Sequence, residues 1–115
     1  MKVYGIPNCD TVKKARAWLD AHGIAYEFHD WKKNGVDPQL LARWMDAVGW
    51  EQLVNRSGVT WRKLSDAEKA RVKDKDSAIA FLLEKPSAIR RPAFEYEGKL
   101  VLGFDPDTYA QVFGK

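Results

Sequence analysis

The hydrophobic positions at the start of the chain change period twice. Residues 2–6 carry side chains that favour extended backbone, and residues 24–29 place apolar side chains on one side of a second such run. Between these runs, the apolar residues of 12–19 recur at helical spacing, with a polar capping segment at 8–11 before them and Gly23 after them. This order predicts a β-α-β unit, in which two parallel strands are joined by a right-handed crossover.

The pattern then becomes helical over about residues 37–86. Asp37-Pro38 supplies a capping side chain followed by a residue that is favoured in the first helical turn. Residues 65–68, Ser-Asp-Ala-Glu, have the spacing of a capping box, and Asp76-Ser77 is predicted to open another helix that ends before Pro86. The middle of the chain is therefore predicted to be helical.

Near the end of the chain, the hydrophobic pattern changes from helical spacing back to the pattern typical of strands. Residues 93–96 and 99–102 predict two strands joined by a turn at Glu97-Gly98, and residues 105–113 predict a final short helix. The order β-α-β, helical insert, β-β-α predicts an α/β fold with a thioredoxin-like sheet, in a single domain of residues 1–115. The alternative is an α+β arrangement, which would require the first two strands to lie apart.

Length and charge narrow the possible classes of protein. A chain of 115 residues can form one domain with an ordinary core. The net charge is only +3, with both signs interspersed, so we expect no nucleic-acid partner. No apolar run approaches the roughly 20 residues of a membrane span, and the first residues lack the apolar region of a signal peptide. We therefore expect a soluble protein with no membrane partner.

The chain has a single cysteine, Cys9. It cannot form an internal disulfide, which excludes a disulfide-rich secreted domain and fits a cytoplasmic location. Zinc ribbons and fingers are excluded for want of cysteines, and His22 and His29 alone are too few for a metal site. We expect no bound metal or cofactor.

The position of Cys9 in the chain suggests that its thiol is reactive. The residue falls in the loop between the first predicted strand and the first predicted helix, beside polar residues that give no reason for a buried apolar side chain. The amide groups and dipole at the start of a helix favour an anion there, which lowers a thiol pKa and increases the thiolate fraction at neutral pH. The sequence therefore predicts that Cys9 is a nucleophilic thiolate.

Three motifs carry a resemblance to a known family. Residues 4–11 are Tyr-Gly-Ile-Pro-Asn-Cys-Asp-Thr, residues 60–64 are Thr-Trp-Arg-Lys-Leu, and residues 90–92, Arg-Arg-Pro, precede the predicted hairpin. In this order and over essentially the whole chain, they resemble the ArsC/Spx family, and most of all its YffB-like branch of small thiol reductases. The resemblance implies a thioredoxin-like fold with an active cysteine at Cys9.

The same resemblance implies what surrounds the thiol. Arginines at Arg62 and Arg91 would bind an anionic substrate or glutathione, because a guanidinium is permanently charged and can grip a carboxylate with two hydrogen bonds. Pro92 matches a proline that is typically cis and faces the active thiol. The predicted site consists of Cys9 as the nucleophile and, for binding, Arg62, Arg91, Pro92, Asn8 and Lys13.

The leading functional hypothesis is a cytoplasmic, glutathione-dependent thiol reductase. A chain with one sulfur needs an external thiol to resolve its mixed disulfide, and glutathione is predicted as the co-substrate, with glutaredoxin as a further partner. Two alternatives stay open. One is an arsenate reductase that receives electrons through glutaredoxin, although Gly103-Phe104 stands where arsenate-reducing members carry a further arginine. The other is an Spx-like adaptor that binds RNA polymerase without catalysis, although Val12 stands where such regulators often have a second cysteine.

Overall fold

A computed structural model describes all 115 residues, which pack into two compact units. Residues 1–34 and 91–115 form the first unit, and residues 35–90 form the second. The elements of the first unit are β1 (Lys2–Gly5), α1 (Asp10–Ala21), β2 (Glu27–Asp30), α2 (Trp31–Asn34), β3 (Ala93–Tyr96), β4 (Lys99–Leu102) and α8 (Pro106–Phe113). The elements of the second unit are α3 (Pro38–Val48), α4 (Trp50–Leu53), α5 (Val59–Arg62), α6 (Asp66–Arg71), α7 (Lys75–Glu84) and a short 3-10 helix (Pro86–Ala88). That the two units act as a single domain stays a prediction.

The first unit is built on a four-stranded sheet with the strand order β2-β1-β3-β4. β1 runs parallel to β2, with Tyr4 opposite His29, and antiparallel to β3, with Tyr4 opposite Ala93. β3 and β4 form an antiparallel hairpin whose turn residues, Glu97 and Gly98, both have positive φ. The β-α-β unit and the C-terminal hairpin are therefore present as predicted.

The core of this unit lies between the sheet and helices α1 and α8. Val3 and Phe94 contribute from neighbouring strands, Leu19 from α1 and Tyr109 from α8, and none of them is more than 1% exposed. The ring of Phe94 meets the ring of Tyr109 edge to face at 5.3 Å. The packing holds α1 against the sheet, and thereby holds its first turn close to the end of β1.

The second unit is helical. Asp37 caps α3 by accepting a hydrogen bond from the amide of Gln39 (2.9 Å), and Ser65 and Glu68 form the predicted capping box of α6. Its fully buried side chains include those of Leu41, Trp44, Leu53 and Leu82. No helix in either unit is long and apolar enough to cross a membrane.

Several element limits differ from the prediction by one or more residues, and for two of them a hydrogen bond gives the reason. β2 begins at Glu27 and not at residue 24, because the amide of Ile24 is bonded to the carbonyl of Leu19 at the end of α1 (3.0 Å). α7 begins one residue after Asp74, whose carboxylate accepts the amide of Ser77 (2.9 Å), and not at Asp76-Ser77.

Candidate functional site

Cys9 is the N-cap residue of α1. Its backbone is extended (φ −99°, ψ 130°), its carbonyl accepts the amide of Lys13 (2.9 Å), and its amide donates to the carbonyl of Ile6 (3.3 Å). The side chain is partly exposed. The short loop from β1 to α1 is therefore fixed at both ends, and it presents the thiol at the start of the helix, within reach of solvent.

The electrostatic surroundings of the thiol favour its ionised form. Partial burial of the sulfur would by itself raise the pKa of Cys9. The backbone amides of Val12 and Thr11, together with the charge and a hydrogen bond of Arg91, outweigh burial and hold the pKa below its ordinary value. The thiol makes no capping hydrogen bond of regular geometry, so the amides act on it as oriented dipoles at the start of a helix.

Arg91 lies next to Cys9 because of the way β3 pairs with β1. Val3 is opposite Phe94 and Tyr4 is opposite Ala93, so the residues that precede β3 run beside the end of β1. The Arg91–Pro92 peptide bond is cis, as the resemblance implies, and Pro92 is fully buried while Arg91 is half-buried. The strand pairing therefore brings a guanidinium to the thiol.

Gly5, at the end of β1, also belongs to this neighbourhood, although the sequence analysis did not select it. A methyl group on its Cα would lie 3.1 Å from Cγ2 of Val12 and 3.8 Å from Cβ of Arg91. The signal that could have identified it is a glycine inside a run of strand-forming residues, which often marks a close approach of neighbouring groups.

The three remaining predicted binding residues are all exposed. Asn8 lies in an exposed turn before Cys9, and Lys13 is exposed in the first part of α1. Arg62 ends α5 in the second unit, where its side chain is exposed. Binding by Asn8, Lys13 and Arg62 stays a prediction. No group of three or more histidine, cysteine or acidic residues is placed to hold a metal ion.

Comparison with known proteins identifies the family. The ArsC family model matches residues 4–112. The solved structure of a YFFB protein is 49% identical, with a TM-score of 0.90 and coverage of 96% of both chains. The solution structure of an arsenate reductase (ArsC) related protein from Brucella melitensis is also 49% identical, with a TM-score of 0.77 over 97% of this chain and 92% of that one. An uncharacterized protein of Haemophilus influenzae is 41% identical over 111 residues, 96% of each chain.

The Spx regulators are more distant relatives. The global transcriptional regulator Spx of Streptococcus agalactiae is 27% identical over 104 residues, which are 88% of this chain and 74% of that protein. The structural matches agree with the thioredoxin-like α/β fold seen here. The chain therefore belongs to the ArsC family, in its YffB-like branch.

Proposed function

We propose that this protein is a glutathione-dependent thiol reductase with Cys9 as its nucleophile. The observation that carries the proposal is a partly exposed sulfur whose pKa is lowered, against its burial, by the amides of Val12 and Thr11 and by Arg91. The thiolate is the nucleophilic form of cysteine, so these groups increase the reactive fraction at neutral pH. Arg91 can in addition hold a carboxylate of glutathione beside the sulfur.

The proposed reaction is two thiol–disulfide exchanges. The Cys9 thiolate attacks one sulfur of a mixed disulfide between glutathione and a substrate thiol, so that the original S–S bond breaks and a Cys9–glutathione bond forms. The substrate sulfur leaves as a thiolate and takes a proton from solvent. A second glutathione thiolate then attacks the Cys9–glutathione bond, which yields oxidised glutathione and restores the Cys9 thiolate. The external thiol is required because the chain has no second sulfur.

The test is to incubate the reduced protein with oxidised glutathione and to follow its mass. We expect one glutathione adduct on Cys9 and none on Cys9→Ser. Arg91→Met should form the adduct about tenfold more slowly, because it loses both the charge beside the sulfur and a ligand for the carboxylate. Lys99→Met is the matched control, since it removes an exposed positive charge of the sheet. No adduct on the unmodified protein, or equal rates for Arg91→Met and Lys99→Met, would contradict the proposal.

Arsenate reduction is a second candidate, supported by the 49% identity to the arsenate reductase related protein of Brucella melitensis. The structure gives a reason to rank it lower. The resemblance puts the further arginine of arsenate-reducing members at the place of Gly103-Phe104, where Gly103 has φ 78° and its amide donates to the carbonyl of Pro92 (2.8 Å). An arginine is disfavoured in that backbone conformation. Turnover of arsenate with glutathione and glutaredoxin would restore this candidate.

An Spx-like adaptor is the non-enzymatic alternative, supported by the similarity to Spx of Streptococcus agalactiae. Val12 occupies the position of the second cysteine of a Cys-x-x-Cys pair and is fully buried, so an internal disulfide switch is absent. Recovery of RNA polymerase in a pull-down, together with full biological activity of Cys9→Ser, would favour the adaptor over the enzyme.

A further inference from the structure

Gly5 differs from most glycines of this chain in having no conformational reason to be glycine. Six of the eight glycines have positive φ, which other residues rarely adopt, and Gly5 is not among them. It is paired in the parallel ladder, opposite Asp30, and it is buried. An alanine could adopt its backbone angles, so the reason for a glycine must lie in the space around its Cα.

That space is occupied by two residues that act on the thiol. A methyl group at position 5 would lie 3.1 Å from Cγ2 and 3.7 Å from Cγ1 of Val12, and 3.8 Å from Cβ of Arg91. The first distance is shorter than ordinary van der Waals contact, so Val12 would have to move. Val12 is fully buried and lies in the first turn of α1, so a displacement of its side chain would disturb the packing that holds this turn in place.

We propose that Gly5 is a positioning residue for Cys9. The missing side chain lets Val12 and Arg91 pack directly against the end of β1, and this contact fixes the amide of Val12 and the guanidinium of Arg91 at the sulfur. Both groups hold the pKa of Cys9 down, which agrees with this role. The inference rests on the proposed function in one respect only, that the thiolate is the reacting form.

The test compares Gly5→Ala with the double variant Gly5→Ala/Val12→Ala. Ultraviolet titration of the thiolate should show a higher midpoint for Gly5→Ala, with about a threefold lower thiolate fraction at pH values below that midpoint. Val12→Ala removes both γ-methyl groups that the new methyl would meet, and it leaves the backbone amide of residue 12 in place. The double variant should therefore regain part of the lost thiolate, because the new methyl group at position 5 no longer meets a γ-methyl group of Val12.

A control separates positioning from general loss of stability. Val101→Ala shortens a core side chain of the same unit on β4, and should lower the melting temperature without moving the thiolate midpoint. The proposal is overturned if Gly5→Ala titrates like the unmodified protein, or if the double variant shows no recovery. These results are independent of whether glutathione reacts at all. If Cys9 forms no adduct with glutathione but Gly5→Ala raises the midpoint of thiolate titration, the proposed function is contradicted and the role of Gly5 is not.

Discussion

At the scale of residues, opposing effects act on the ionisation of one thiol, that of Cys9. Burial favours the neutral thiol, while the amides of Val12 and Thr11 and the charge of Arg91 favour the thiolate, and the second group of effects prevails. Because Arg91 comes from far along the chain, the thiolate is stabilised fully only when β1 and β3 are paired. Ionisation of Cys9 is therefore coupled to folding.

This coupling predicts how stability depends on pH. The pKa of Cys9 is lower in the folded chain than in the unfolded chain, so the folded state releases the proton first as pH rises. The contribution of Cys9 to the free energy of unfolding should be absent below the folded-state pKa, grow between the two pKa values and be complete above the unfolded one. We expect the difference in unfolding free energy between the protein and Cys9→Ser to increase with pH in urea titrations. A difference that stays constant or falls with pH would contradict the coupling.

Sequence reasoning correctly placed Cys9 at the start of a helix because the signal for that position is local. A thiol between a strand run and a capped helical run lies at a helix start, whatever the rest of the chain does. A glycine inside a strand run is also a local signal, but the sequence could not predict that Val12 and Arg91 are the residues that approach Gly5. Only the packing of α1 on the sheet and the pairing of β3 with β1 determine that approach.

At the scale of elements, the residues of the hairpin turn predicted the limits of the two strands correctly. The hairpin has the predicted strand limits, because Glu97-Gly98 suits the turn conformation that joins two strands. The helix α2 was missed, since Lys-Lys-Asn-Gly after Trp31 is typical of a solvated turn. It forms because Trp31 is buried in the folded unit and the carboxylate of Asp30 accepts the amides of Lys32 (2.9 Å) and Lys33 (3.3 Å).

The start of α7 allows a direct test of which acidic residue caps it. Asp74 accepts the amide of Ser77, and Ser77 bonds back to the amide of Asp74 (3.1 Å), so Asp74→Ala should break a reciprocal pair. Asp76 lies inside the first turn and interacts favourably only with the helix dipole. We expect Asp74→Ala to lower the melting temperature more than Asp76→Ala, measured by circular dichroism. The reverse order would support the cap position predicted from the sequence.

At the scale of the whole molecule, the first unit is discontinuous in sequence. The pairing of β1 with β3 joins residues on either side of the insert, which runs from Gly35 to Arg90. When the insert is unfolded, this pairing must close a long flexible loop, and loop closure costs entropy that grows with loop length. A folded insert reduces that cost, so chain connectivity should make the stability of the sheet depend on the stability of the insert.

If the chain is a single domain, we expect one cooperative unfolding transition. Leu82→Ala, at a fully buried position of α7, should cost about 2–5 kcal/mol and should speed hydrogen exchange at Val3 in β1 as well as in the insert. Leu83→Ala is the matched control, because Leu83 is 40% exposed. Unchanged protection of Val3 in Leu82→Ala would show that the two units unfold independently.

The placement of Cys9 as the residue that starts α1 has one last consequence. When the sulfur carries glutathione, it no longer offers a negative charge to the amides of Thr11 and Val12, so the helix loses a favourable partner at its very beginning. The opening turn of α1 should therefore loosen in the glutathionylated form and tighten again on reduction. The glutathionylated and reduced forms would then differ in the mobility of that turn, which amide hydrogen exchange can measure.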